Sequence, residues 1–150
     1  MLNEDYKDML QILLNNEVKF LIVDAYALAA YGYPRATGDF DIWVEASPEN
    51  SKEILSSIIS FGSPTSGLTE NTFMQKGIIF QIGVAPRRID LITHIDGVGF
   101  KNAYLFRTTI VMEGLNLPFI SKENLIKNKK STGRDKDLVD AKHLEENGEA

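Results

Sequence analysis

The run Gly38-Asp39-Phe40-Asp41-Ile42-Trp43-Val44 is the most constraining stretch of the chain. It alternates as a half-buried β-strand does, which sends Phe40, Ile42 and Val44 to one face and Asp39 and Asp41 to the other. Two acids on one face, with Cα atoms about 6.5–7 Å apart, repel each other, and acids are poor strand formers. The pattern calls for a cation between them, or else marks the solvated outer face of an edge strand. Oxygen ligands with no His or Cys nearby select magnesium or manganese over zinc, and magnesium commonly bridges a few carboxylates to substrate phosphates.

The flanking sequence says how such a strand is held. Tyr6, Met9, Leu10, Leu13 and Leu14 recur at helical spacing and predict an amphipathic helix ending near Asn15-Asn16. Phe20-Leu21-Ile22-Val23 reads as a short buried strand, and Ala25 to Tyr31 as a short helix stopped by Gly32 and Pro34. Ser47-Pro48 supplies an N-cap and a first-turn proline for a helix whose apolar face is Ile54, Leu55, Ile58 and Ile59, ending at Gly62. Residues 62–67 read as a surface loop. An antiparallel hairpin is expected from Ile78–Val84 and Arg88–Ile95 across Ala85-Pro86-Arg87, and a second through the Glu113-Gly114 turn from Thr109–Met112 to Leu115–Ile120. Ser121 then caps C-terminal helices over Lys122–Lys130 and about Arg134–Glu146, broken at Ser131-Thr132-Gly133.

In the strand beginning at Arg88, Asp90 shares a face with Arg88, Ile92 and His94, so a third acid stands on a strand. Two carboxylates from one strand and one from another are what two-metal phosphoryl transfer requires. The pair bridges cations, and the third ligates the metal beside an attacking hydroxyl or takes its proton. Asp90 also has a simpler reading, as a surface ion pair with Arg87 or Arg88. Trp43, on the carboxylate face, either stacks on a base or packs. His94 and His143 have no serine or cysteine partner suggesting nucleophilic catalysis.

With 150 residues and 16.8 kDa the chain is expected to form a single domain over residues 1–150, its C-terminal helices starting near residue 121. Its net charge of −5 disfavours a broad nucleic-acid-coating surface while leaving room for a local basic pocket. Lys127, Lys129, Lys130, Arg134 and Lys136 form such a cluster, suited to a triphosphate or an RNA acceptor, or else a solvated helix face. No apolar run approaches the length of a membrane span, the N-terminus is acidic, and there is no cysteine, so a cytoplasmic location with no membrane partner is expected.

The stretch from Phe20 to Leu28, followed by Tyr31-Gly32-Tyr33-Pro34-Arg35-Ala36-Thr37-Gly38-Asp39-Phe40-Asp41-Ile42-Trp43-Val44, resembles the signature of the DNA polymerase β-like nucleotidyltransferase superfamily. It is most similar to the small bacterial branch of minimal nucleotidyltransferases and AbiEii toxin relatives. Arg88-Ile89-Asp90-Leu91-Ile92 stands where that superfamily carries its third carboxylate. Leu125 to Lys129, with Thr132 to Leu138 and Asp140, looks like the branch's C-terminal segment. The resemblance implies an α/β (α+β) minimal nucleotidyltransferase fold, a small mixed or antiparallel sheet flanked by helices. It implies Asp39, Asp41 and Asp90 as catalytic residues and ligands of Mg2+ or Mn2+. Asp24, Ala25, Arg35, Thr37, Lys127, Lys129 and Arg134 are the candidate nucleotide-binding residues. The implied reaction moves a nucleoside monophosphate from an NTP to a hydroxyl on a tRNA end, a protein or a small molecule, releasing pyrophosphate. Membership of a toxin–antitoxin or defence pair, with a cognate partner, is a further implication.

One position departs from the resemblance. The family usually carries Gly-Gly or Gly-Ser after its first strand, and here the pair is Asp24-Ala25. A carboxylate there repels a triphosphate at close range by about 1 kcal/mol if well solvated. Asp24 therefore leaves three roles open: a charge offset by a metal or Arg35, a plain N-cap, or the mark of a non-catalytic module that senses nucleotide or binds a partner. An aspartyl-phosphate phosphatase of the Asp-x-Asp-x-Thr kind is disfavoured, because Trp43 stands where that motif needs threonine.

Overall fold

The computed structural model describes residues 2–35 and 37–146; Met1, Ala36 and residues 147–150 lie outside them. One six-stranded mixed sheet organises the chain, flanked by helices. The strands are β1 (Phe20–Ile22), β2 (Asp39–Val44), β3 (Ile79–Ile82), β4 (Arg88–Ile92), β5 (Thr108–Met112) and β6 (Leu115–Phe119), in the spatial order β3-β4-β2-β1-β6-β5. β2 runs parallel to β4 and antiparallel to β1, β1 is parallel to β6, and β3–β4 and β5–β6 are antiparallel pairs.

The helices form for local reasons that the sequence carries. Asn3 caps α1 (Glu4–Asn15), accepting from the Tyr6 amide. Ser47 caps α3 (Pro48–Phe61) with proline in its first turn, and Ser121 caps α5 (Lys122–Ser131). α2 (Asp24–Ala30), α4 (Phe100–Leu105) and α6 (Asp135–Glu146) complete the set. Asn50 ties two strand ends together: its side chain bonds the Lys19 amide and carbonyl and the Glu45 carbonyl at 2.8–3.0 Å.

The two faces of β2 are buried differently. Phe40 stacks on Tyr6 from α1 and meets Tyr26 from α2 edge-on, each with ring centroids 4.6 Å apart. Tyr6 also donates its hydroxyl to the Pro86 and Arg88 carbonyls, which pins α1 to the start of β4. On the opposite face Trp43 is fully buried against Phe100 of α4. This closes the base-stacking option for Trp43, because an indole covered by α4 offers no face to a ligand.

α4 and a 3-10 turn at Thr72–Met74 are not foreshadowed in the sequence. Six residues with only Ala103 buried are too few to display a helical period. β3 is shorter than its apolar run suggests because Gly83 turns at φ +77° and leaves Val84 exposed. β4 ends at Ile92, and Ile95 instead forms an isolated bridge with Val98.

Candidate metal and nucleotide site

Strand register brings the three acids together. Asp39 and Asp41 alternate with buried Phe40 and Ile42 on β2, and the parallel ladder sets Asp41 directly across from Asp90, with Asp39 across from Arg88. One carboxylate oxygen from each of Asp39, Asp41 and Asp90 lies within 4.8 Å of the others. Gly38 permits the approach of this strand end to the β3–β4 turn, since a Cβ there would stand 3.1 Å from that of Ala85.

The three acids are held in different electrostatic states. Burial works to raise the pKa of Asp39, but hydrogen bonds from Thr37 and Arg88 outweigh it and hold the carboxyl below its ordinary value. Asp90, 6% exposed, is raised, chiefly by burial and despite Arg88. Asp41 is pushed up to about 9, first by burial, then by its close approach to Asp24 and by the charges of Asp24, Asp39 and Asp90. At neutral pH Asp41 therefore keeps its proton, chiefly because burial disfavours the charged form and then because of the neighbouring acids. Three convergent carboxylates with oxygen donors alone fit a hard divalent cation such as Mg2+ or Mn2+.

Of the two ion-pair partners that the sequence offers Asp90, Arg88 is the one that pairs, and it reaches Asp39 as well. Its guanidinium bonds Asp39 at 2.8 Å and Asp90 at 3.1 and 3.2 Å. The signal was its place on the same strand face two residues before Asp90. Arg87, the other basic residue considered there, instead reaches Asp5 at 3.5 Å.

A cavity of about 200 Å³ opens beside the acids, lined by Asp24, Asp41, His94, Asp96, Asn128, Lys129, Thr132 and Arg134, among others. Next to this lining, Gly97 lets the loop after β4 lie on α5, since a Cβ there would overlap the Ser131 hydroxyl at 2.0 Å. The basic side of the cavity is a network. Lys129, 5% exposed, pairs with Asp24 and lies 3.5 Å from Asp137. Asp137 also accepts from the Thr132 hydroxyl and from Arg134, each at 2.8 Å.

Asp24 does not cap α2, whose N-cap is Val23 with no side-chain bond. It adopts φ +57°, the left-handed region that favours glycine and that Asp tolerates better than most residues. Ala25 lies in the first turn of α2 beside it.

The other candidate nucleotide ligands separate. Arg35 pairs with buried Asp140 of α6, and its guanidinium lies 5.9 Å from the Tyr33 ring. Thr37 bonds Asp39 Oδ1 at 2.7 Å and the Asp39 backbone, which satisfies the turn. Lys127 is exposed and outside the cavity lining. Lys130 pairs with Glu145 on the surface at 2.6 Å. His94 lines the cavity, its Nε2 3.4 Å from Asp96.

No protein-family model and no curated protein matches the sequence. Solved structures do match its fold. A Thermotoga maritima protein described as a nucleotidyltransferase is 16% identical with a TM-score of 0.65, covering 97% of this chain and 96% of its own. The lincosamide antibiotic adenylyltransferase LnuA, solved with lincomycin, is 13% identical with a TM-score of 0.61 and covers 97% of each chain. ANT(2")-Ia, solved with adenylyl-2"-tobramycin, is 14% identical with a TM-score of 0.53, covering 94% and 95%. The chain shares the fold of these nucleotidyltransferases over nearly its whole length. Among the described residues, no helix is long and apolar enough to cross a membrane.

Proposed function

We propose that this protein is a metal-dependent nucleotidyltransferase that moves a nucleoside monophosphate from an NTP to a hydroxyl acceptor. The observation that carries the reading is the convergence of Asp39, Asp41 and Asp90 within 4.8 Å on two parallel strands, in a fold shared with adenylyltransferases. These three acids would hold Mg2+ or Mn2+, which when bound neutralises charge developing on the phosphates.

The remaining roles fall to the chain's own groups. The acceptor oxygen forms a bond to the α-phosphorus, the bond from that phosphorus to the bridging oxygen breaks, and pyrophosphate leaves. Asp90, its pKa raised chiefly by burial, would take the hydroxyl proton. Lys129 and Arg134 line the adjoining cavity and offer cationic donors to the phosphate chain, while Asp24 and Asp137 keep Lys129 in place.

The Asp24 carboxylate in the same cavity, a negative charge where the phosphates would lie, favours a second reading, a nucleotide-sensing module of the same fold in which turnover is lost. Incubation with α-labelled NTPs, Mn2+ and arms containing tRNA, cell protein or hydroxylated antibiotics separates the two. Transfer of label to one arm, abolished by Asp41→Asn, supports the enzyme. Nucleotide binding without pyrophosphate release in any arm supports the sensor. Transfer that survives Asp41→Asn refutes the proposed metal site.

A further inference from the structure

Every oxygen of two of the three acids already has a donor. Arg88 Nη2 donates to Asp39 Oδ2 at 2.8 Å and to Asp90 Oδ2 at 3.2 Å, and its Nε donates to Asp90 Oδ1 at 3.1 Å. The Thr37 hydroxyl takes Asp39 Oδ1 at 2.7 Å. A guanidinium thus occupies the space between Asp39 and Asp90 as a cation would, in the forked geometry that suits carboxylates. The Arg88 side chain is 35% exposed and rotates about several bonds, whereas Asp90, at 8%, is fixed within the sheet. Of the groups in this contact, Arg88 is the one free to leave.

We propose that Arg88 is the resident counter-ion of the metal site: a divalent cation entering among Asp39, Asp41 and Asp90 displaces the guanidinium, which then pairs with the phosphates of the nucleotide. The inference rests on the nucleotidyltransferase reading and gives Arg88 a nucleotide-binding role in it. A divalent ion beside a guanidinium is repelled at short range, so metal alone competes with Arg88 for the acids. A nucleotide arriving with the metal is offered the cation that the metal releases. Metal and nucleotide therefore bind with positive coupling, each supplying the partner that the other displaces.

The test is titration of Mn2+, read as loss of the free-ion paramagnetic signal, on the natural chain and on Arg88→Gln and Arg88→Lys, with and without a non-hydrolysable NTP analogue. Arg88→Gln tightens Mn2+ binding in the absence of nucleotide by about tenfold or more. It weakens Mn2+-dependent binding of the analogue by about tenfold, since a charge-assisted bond to phosphate is lost. Arg88→Lys, which keeps the charge without the fork, shifts both in the same directions by less, and carries the test if the Gln variant fails to melt cooperatively. Mn2+ affinity unchanged or weakened in both variants overturns the displacement, and unchanged analogue binding overturns the phosphate contact. Tighter Mn2+ binding in Arg88→Gln, with no nucleotide transfer by the natural chain, refutes the proposed enzyme while leaving the displacement standing. No Mn2+ binding by any of the three chains overturns both.

Discussion

Asp41 on β2 and Asp90 on β4 are direct partners across a parallel ladder, so two carboxylates face each other at the spacing of adjacent strands. Such a pair is costly unless a proton or a cation intervenes, and Asp41, pushed up to about 9, takes the proton.

Metal binding at neutral pH should therefore release about one proton, because a carboxylate must deprotonate to ligate. Calorimetric titration of Mn2+ in buffers of different ionisation heat checks this, with affinity rising as pH increases toward 9. The metal-free protein should behave in the opposite sense. The folded Asp41 pKa lies above the unfolded value, so the folded state binds the extra proton and stability falls as pH rises between the ordinary carboxylate range and about 9. Asp41→Asn should flatten that slope in thermal melts across the same window.

Asp24→Gly should leave stability within about 1 kcal/mol of the natural chain. The side chain of Asp24 is 48% exposed, so its ion pair with Lys129 is weakened by solvent, and glycine relieves the φ +57° backbone. Removing the carboxylate beside Asp41 also lowers repulsion toward phosphate. Nucleotide affinity and label transfer should be preserved or increased, as read by analogue binding and transfer rate.

Arg35→Ala should destabilise the fold by about 3–5 kcal/mol in denaturant melts, because Asp140 is 1% exposed, its Oδ1 bonds Arg35 and its Oδ2 has no partner among the described residues. The double substitution Arg35→Ala with Asp140→Asn should recover part of that loss. A phosphate-binding role for Arg35 would instead lower nucleotide affinity with little change in melting.

Lys129→Met should cost about 3 kcal/mol, since it breaks a pair with Asp137 in which each side chain is 6% exposed. Asp137 also gives the fold an acid limit. Burial opposes its ionisation, but Thr132, Lys129 and Arg134 prevail and hold its pKa low. Its contribution is present above the unfolded carboxylate value and is lost as pH falls through the lower folded value. Asp137→Asn should show a shallower loss of stability in acid titration of the melting temperature.

Asp39 and Asp41 were legible as one face because strand alternation is local, whereas the meeting of Asp90 with them depends on the parallel β2–β4 ladder. The helix caps at Ser47 and Ser121 and both hairpins were equally local. What stayed hidden depended on contacts far apart in sequence. Arg35 meets Asp140 and Lys129 meets Asp24, each across 105 residues, and no local pattern chooses those partners. Lys127 and Lys129 look alike in the sequence, and only the packing of α5 against α6, with the pairs to Asp24 and Asp137, buries one and leaves the other exposed. Trp43 shares the alternation of the acids, yet α4, too short to announce itself, covers it.

The decisive measurement is anomalous diffraction from crystals grown with Mn2+ and a non-hydrolysable NTP. A manganese peak among the carboxylates of Asp39, Asp41 and Asp90, with phosphate density reaching toward Lys129, is the expected result. A peak bound elsewhere, or nucleotide seated away from these three acids, would contradict the proposed site.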